Sequence, residues 1–163
     1  MSGRRLMVRM AEQAVSKDPT DVLVSLGLGS CIGLALIDEG AGVAGLVHIV
    51  LPKAPDAGTG GTPAKFADTA VPLLLESVMK AGGRSGRLRA VLCGGAHMFG
   101  STGTNPVMQI GARNAEGTLE ALSKLRIPIR AKDTGGSAGR SIEVNVATGA
   151  VSVRGVGQPA KSL

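Results

Sequence analysis

Leu26-Gly27-Leu28-Gly29-Ser30-Cys31-Ile32-Gly33 is the stretch around which the chain is organised. Val22-Leu23-Val24 precedes it and Leu34-Ala35-Leu36-Ile37 follows. Both flanks are short aliphatic runs, so they read as strands. Between them, glycines, a serine and a cysteine display a thiol on a sharp strand-to-strand turn. Glycine permits the tight turn and the close approach of another molecule. Further on, Val43-Ala44-Gly45-Leu46-Val47-His48-Ile49-Val50-Leu51-Pro52 reads as another strand and carries a histidine. A hairpin at Glu39-Gly40-Ala41-Gly42 sets the two strands side by side and brings His48 next to Cys31. A thiol with a neighbouring imidazole is the minimal nucleophile–base pair for acyl transfer.

Working outward, Leu6-Met7-Val8 reads as an edge strand and Asp18-Pro19-Thr20 as a turn. Pro52 closes the histidine strand, and a Gly/Pro/Ala loop follows over 53–61. Thr62-Pro63 supplies an N-cap and a proline at the first helical position. The helix predicted from there runs to Ala81. Phe66, Ala70, Leu74 and Val78 form its inward stripe, Pro72 bends or splits it, and Gly82-Gly83 stops it. Arg87 to Cys93 reads as a strand ending at Gly94-Gly95, and 96–108 as a loop. A second helix spans Ile110 to Leu125, with Ile110, Leu119, Leu122 and Leu125 facing in. Ile127 to Lys132 reads as a strand and Asp133-Thr134-Gly135-Gly136 as a turn. Arg140–Val146 and Val151–Arg154 form a hairpin, and 156–163 a frayed tail. Strands flank both helices. The expectation is one α/β domain over 1–163, with its core at 22–154: a mixed β-sheet sandwich, of two packed sheets or one curved sheet, with two main helices.

The 163 residues suit a single domain that buries an adequate core without staples. With two Phe and no Trp or Tyr, that core is aliphatic. The net charge of +6 permits association with acidic partners. Nucleic acid is not expected, because the chain lacks aromatic platforms for stacking bases and its cations are scattered. No apolar stretch reaches the roughly 20 residues of a membrane span, and the N-terminal residues lack a signal-peptide core. Two cysteines in different apolar contexts suit a reducing, cytoplasmic compartment rather than a disulfide scaffold.

The plain alternative for Cys31 is a small core residue. Against it stand Gly27, Gly29 and Gly33, because bared backbone N–H groups around Gly29, Ser30 and Cys31 suit an oxyanion hole. A lone histidine in an apolar strand is ordinarily a satisfied core residue, and its placement beside Cys31 is what raises His48. Ser25 offers a hydroxyl to orient that imidazole, the third role of a triad, or is an ordinary strand serine. Cys31, His48, Cys93 and His97 make up the inventory of a zinc site, but paired C-x-x-C spacing is missing and no metal is expected. Lys53 and Lys65 border the proposed site and are candidates for contact with an acidic substrate.

Several motifs in order resemble one family. They are Leu26 to Cys31, His48 to Pro52, Lys65-Phe66-Ala67-Asp68, Gly94 to Phe99, Ile110-Gly111-Ala112-Arg113-Asn114, Asp133 to Gly136 and Gly139-Arg140-Ser141. Together they resemble the chemoreceptor glutamine deamidases, CheD, over 22–154. The resemblance implies an α/β sandwich and a cysteine–histidine amidohydrolase that needs no cofactor. It implies conversion of glutamines on methyl-accepting chemotaxis receptors to glutamate, with Cys31 as nucleophile and His48 as base. Ser25 stands where the family usually has threonine, and Phe66 where it often has tyrosine. The segment Thr102 to Gln109 is longer than the family pattern. Some members bind the chemotaxis phosphatase CheC. The other classes weighed are a non-catalytic chemotaxis adaptor on the same fold and a cysteine hydrolase of another amide.

Overall fold

The computed structural model describes residues 3–55, 61–98 and 109–163. Two five-stranded sheets pack face to face, and two helices cover the outer side of one of them. The first sheet contains β1 (Arg5–Met7), β3 (Val22–Leu28), β8 (Arg140–Asn145), β9 (Val151–Gly155) and β10 (Lys161–Ser162), in that spatial order. The second has the order β2 (Gln13–Ser16), β5 (Val43–Ile49), β4 (Ile32–Asp38), β6 (Arg89–Gly94), β7 (Ile129–Thr134). Both sheets mix parallel and antiparallel pairs. The two helices are α1 (Ala67–Lys80) and α2 (Ile110–Lys124).

Burial explains the two kinds of strand sequence. The second sheet lies between the helices and the first sheet, so β4 and β5 are buried along their whole length. Strands covered on both faces read as continuous apolar runs. Ile32, Leu34, Leu36, Val47 and Ile49 pack under the helices against Val71, Leu74 and Leu122. Ala35, Ile37, Ala44 and Leu46 point the other way, into the space between the sheets. The first sheet is covered on one face only, so β8 and β9 alternate. Ile142, Val144, Val151 and Val153 face in, while Ser141, Glu143, Ser152 and Arg154 face out.

The Glu39–Gly42 hairpin forms as expected, and Gly33 pairs with His48 across it. The turn at Gly29–Cys31 differs from a hairpin. It carries the chain from β3 in one sheet to β4 in the other. The first helix begins later than the sequence suggests. Thr62 and Pro63 open a short 3-10 turn, Pro63–Lys65, and α1 starts at Ala67. Leu51 explains the delay. It bridges Phe66 in parallel, and its carbonyl accepts the Ala67 N–H, which holds Phe66 extended.

The expected stripe of Phe66, Ala70, Leu74 and Val78 is buried. Pro72 does not split α1, which runs unbroken. Pro72 is exposed and sits one turn beyond the helix start, so its missing N–H forfeits only a bond to the carbonyl of exposed Asp68. Gly82 and Gly83 close the helix with N–H bonds to Met79 and Val78.

Three further expectations are corrected. Leu122 is buried as expected and Leu119 and Leu125 pack against the core half-buried, but the rest of the buried face of α2 is Gly111, Asn114, Thr118 and Ala121, so two polar residues lie where the apolar spacing placed none. Strand β2, unanticipated, pairs with β5. The C-terminal tail is tied down in part. Strand β10 pairs with β9, the Leu163 N–H donates to Val151, and Lys161 meets Asp133 at 3.0 Å. The loops expected over 53–61 and 96–108, and the long segment from Thr102, lie partly outside the described residues.

Candidate active site

The site lies where β3 leaves the first sheet and β4 enters the second. Ser25 comes from β3, Cys31 from the crossing turn and His48 from β5. A bulge in β3 sets the first of these. The register between β3 and β8 slips between Ser25 and Leu28, and Leu26 is turned out to solvent while Ser25 is completely buried. Bulges of this kind re-aim side chains.

Cys31 and His48 share the inter-sheet face of the second sheet. Cys31 precedes Ile32, which pairs with Ile49, and the next pair is Gly33 with His48. Such a diagonal pair has Cα atoms roughly 7–8 Å apart, within reach of an aromatic side chain. Gly33, facing His48, sets no side chain between them. A Cβ there would lie 2.9 Å from Leu28 and 3.1 Å from Ile142, so glycine is also demanded by packing of the sheets.

The hydrogen bonds around His48 fix its tautomer. The Ser25 hydroxyl donates to the Val8 carbonyl at 2.5 Å. With that proton committed, Ser25 Oγ accepts from His48 Nδ1–H at 3.2 Å, and Nδ1 also lies 3.3 Å from the Val8 carbonyl. A carbonyl only accepts, so both contacts place the proton on Nδ1. Nε2 therefore carries the bare lone pair. It is buried and has no hydrogen-bond partner among the described residues. Burial lowers the His48 pKa, against smaller opposing effects of the Val8 bond and of Glu12. Burial pushes the Cys31 thiol up. Both shifts favour the uncharged forms. Cys93 differs in kind: it is fully buried and pushed up to about 12.

The turn itself is held by its carbonyls. Ala96 N–H donates to Gly29 at 2.8 Å, the Asn114 amide to Ser30 at 2.9 Å and Gly95 N–H to Cys31 at 2.9 Å. The N–H groups of Gly29, Ser30 and Cys31 donate to no described residue. Gly94 has a φ of +108°, and a Cβ on it would fall 2.1 Å from the Cys31 carbonyl, so only glycine passes there. The neighbouring loop is fastened in turn. Gly135 N–H donates to Gly94 and His97 N–H to Gly136. The buried Arg140 guanidinium donates to the carbonyls of Asp133, Gly135 and Ala138 and to the Asp133 carboxylate.

The structure thus brings Ser25 into contact with His48 and sets Cys31 one position diagonally from His48 on the same face. The two lysines stand differently. The Lys65 carbonyl accepts the N–H groups of Val50 and Leu51, and its ammonium lies 5.7 Å from the Phe66 ring. Lys53 lines a groove of about 470 Å³ with Asp68, Arg113, Glu116 and Glu120, which Cys31 does not line. Among the described residues no three His, Cys, Asp or Glu side chains stand together as metal ligands.

A family model, CheD chemotactic sensory transduction, matches residues 50–155. A relative from Desulfitobacterium hafniense is 44% identical over 158 residues, covering 97% of this chain and 98% of its own length. One from Caldanaerobacter subterraneus subsp. tengcongensis is 44% identical over 163 residues, covering all of both chains. The chain belongs to the CheD family. A third relative, from Geobacillus kaustophilus, is 44% identical and covers 99% of each chain. All three carry the name probable chemoreceptor glutamine deamidase CheD. The family model begins after Cys31 and His48, whereas the full-length relatives span both.

In this CheD chain, sequence reasoning missed two residues, Asn114 and Arg140. Both lie within the motifs that carry the resemblance, where they stand only as letters of a pattern. An asparagine at helical spacing with Gly111, Thr118, Ala121 and Leu122 was the available signal for Asn114.

Proposed function

We propose that this chain is a protein-glutamine deamidase acting on the cytoplasmic domains of chemotaxis receptors. The single observation that carries the reading is the relay from Val8 through Ser25 to His48 Nδ1, which leaves Nε2 as a bare acceptor on the face it shares with Cys31. Such a pair activates a thiol for attack on a carboxamide. The names carried by the full-length relatives support the same substrate class.

The chemistry follows from the protonation states. His48 Nε2 takes the Cys31 proton as Sγ bonds to the carboxamide carbon of a glutamine. The negative oxygen of the tetrahedral intermediate accepts from the N–H groups of Gly29, Ser30 and Cys31. His48 returns its proton to the nitrogen, ammonia leaves, and a thioester remains. Water attacks that thioester with Nε2 again as base, releasing glutamate and restoring the thiol. Ser25 orients the imidazole, whose tautomer the Val8 carbonyl holds with it. The scheme calls on no cofactor, and its substrate assigns it to the cytoplasm. Among the described residues no helix is long and apolar enough to cross a membrane. A CheC-type regulatory partner belongs to the same reading through the resemblance alone.

The test is mass spectrometry of receptor cytoplasmic fragments incubated with the protein. Gln-to-Glu mass shifts are expected with the parent and absent with Cys31→Ala. Receptor binding without any shift would overturn the reading in favour of a non-catalytic adaptor.

A further inference from the structure

Helix α2 reaches the site without contributing a group to the scheme above. Asn114, in its first half, is completely buried. Its Nδ2 donates to the Ser30 carbonyl and to the Val50 carbonyl, each at 2.9 Å. Ser30 precedes Cys31 directly, and Val50 lies two residues past His48. One amide therefore fastens the segment bearing the thiol to the strand bearing the imidazole. Both partners are acceptors, so the nitrogen must face them. Oδ1 is left buried with no hydrogen-bond partner among the described residues. Burying an unpaired acceptor is unfavourable. Leucine, of similar volume, would fill the space without that penalty, so filling space is not what the amide is for.

The backbone of α2 presses on the same segments. A Cβ at Gly111 would fall 2.3 Å from the Ala96 carbonyl oxygen, and one at Gly117 would fall 3.1 Å from that of Pro52. Gly95 and Ala96 in turn donate to Cys31 and Gly29. The helix, the Gly94–Ala96 segment and the thiol turn thus form one bonded stack, with Asn114 as its link to β5.

We propose that Asn114 is a positioning residue, setting the separation of Cys31 and His48 by bonding the Ser30 and Val50 carbonyls at once. This rests on the reading of Cys31 and His48 as nucleophile and base. Proton transfer needs hydrogen-bond reach, and a misplacement of about 1 Å costs on the order of a hundredfold in rate.

The experiment compares the parent with Asn114→Leu, Asn114→Ser and Thr118→Val, each well below its own Tm. The readouts are kcat and KM for a receptor fragment and the pH dependence of Cys31 alkylation by iodoacetamide. Asn114→Leu is expected to lose roughly 10- to 100-fold in kcat, with KM changed by less than about twofold. Its alkylation profile should lose the acid limb that His48 imposes. Thr118 bonds the Asn114 carbonyl within α2 at 2.8 Å. Thr118→Val should therefore lower Tm and leave the profile intact, which separates positioning from mere stability. A parent-like kcat and profile in folded Asn114→Leu would overturn the proposal. If that variant does not fold, Asn114→Ser, which keeps a single donor, decides in the same way: a lost acid limb supports the proposal and a parent-like profile refutes it. Cys31→Ala in the same assay isolates the underlying reading. Full deamidation by it sinks the nucleophile assignment, whereas a dead Cys31→Ala beside parent-like Asn114 variants sinks only the positioning role.

Discussion

Replacing Ser25 with alanine removes one hydroxyl from a buried contact of three groups. That hydroxyl donates to the Val8 carbonyl and accepts from His48 Nδ1–H. A typical intramolecular hydrogen bond contributes a net of about 0.5–1.5 kcal/mol. The imidazole is not stranded by the change, because Nδ1 already lies 3.3 Å from the Val8 carbonyl and can close on it. The loss is therefore that of a better orientation rather than of the tautomer. At about 1 kcal/mol it corresponds to a roughly fivefold fall in kcat. KM should hold, since Ser25 is completely buried and offers no surface to a substrate. The same loss in the folded state lowers Tm by about 2–4 °C for a chain of this size. Ser25→Thr retains the hydroxyl and should keep parent-like kcat. The assay follows ammonia release from a receptor fragment across a range of concentrations, with Tm measured in parallel. An unchanged kcat in Ser25→Ala would reduce Ser25 to an ordinary strand residue. A rise in KM at constant kcat would refute an orienting role just as firmly.

Burial lowers the His48 pKa, so the acid limb of kcat/KM should fall below the ordinary histidine range. Stability has the same sign: the unfolded chain binds this proton more readily, so the contribution is present above the ordinary histidine value and lost as pH falls through the folded one. An acid limb at or above the free-histidine value would contradict the assignment. Cys93→Ala should retain activity, and iodoacetamide should label half-buried Cys31 in the native protein while sparing Cys93, as peptide mapping would show. With a net charge of +6, capture of an acidic receptor helix should weaken as salt rises. Charge reversal at Lys53 and Lys65 should weaken it further. A kcat/KM flat from low to high ionic strength, or insensitive to both reversals, would exclude steering by these lysines.

The alternation of β8 and β9, the unbroken apolar runs of β4 and β5, and the hairpin between the latter were legible from side-chain period alone. That period depends on which faces are covered, and local residues report coverage directly. The register that sets Gly33 opposite His48 was legible for the same reason, because a short hairpin fixes the pairing of the strands it joins. The late start of α1 was not, since Phe66 is held extended by Leu51 from another segment. Strand β2 escaped for the same cause: it owes its form to β5, some thirty residues on, rather than to its own residues. At the proposed site, the sequence offered the thiol, the imidazole and the hydroxyl as candidates. It could not say that Ser25 spends its proton on Val8 and accepts the His48 Nδ1 proton, because those bonds join segments apart in the chain. Nor could it show Asn114 reaching Ser30 and Val50. Residue types and local spacing determined which groups this chain carries. Only the packing of sheet on sheet and of helix on sheet decided which of them meet, because hydrogen bonds between distant segments have no period in the sequence.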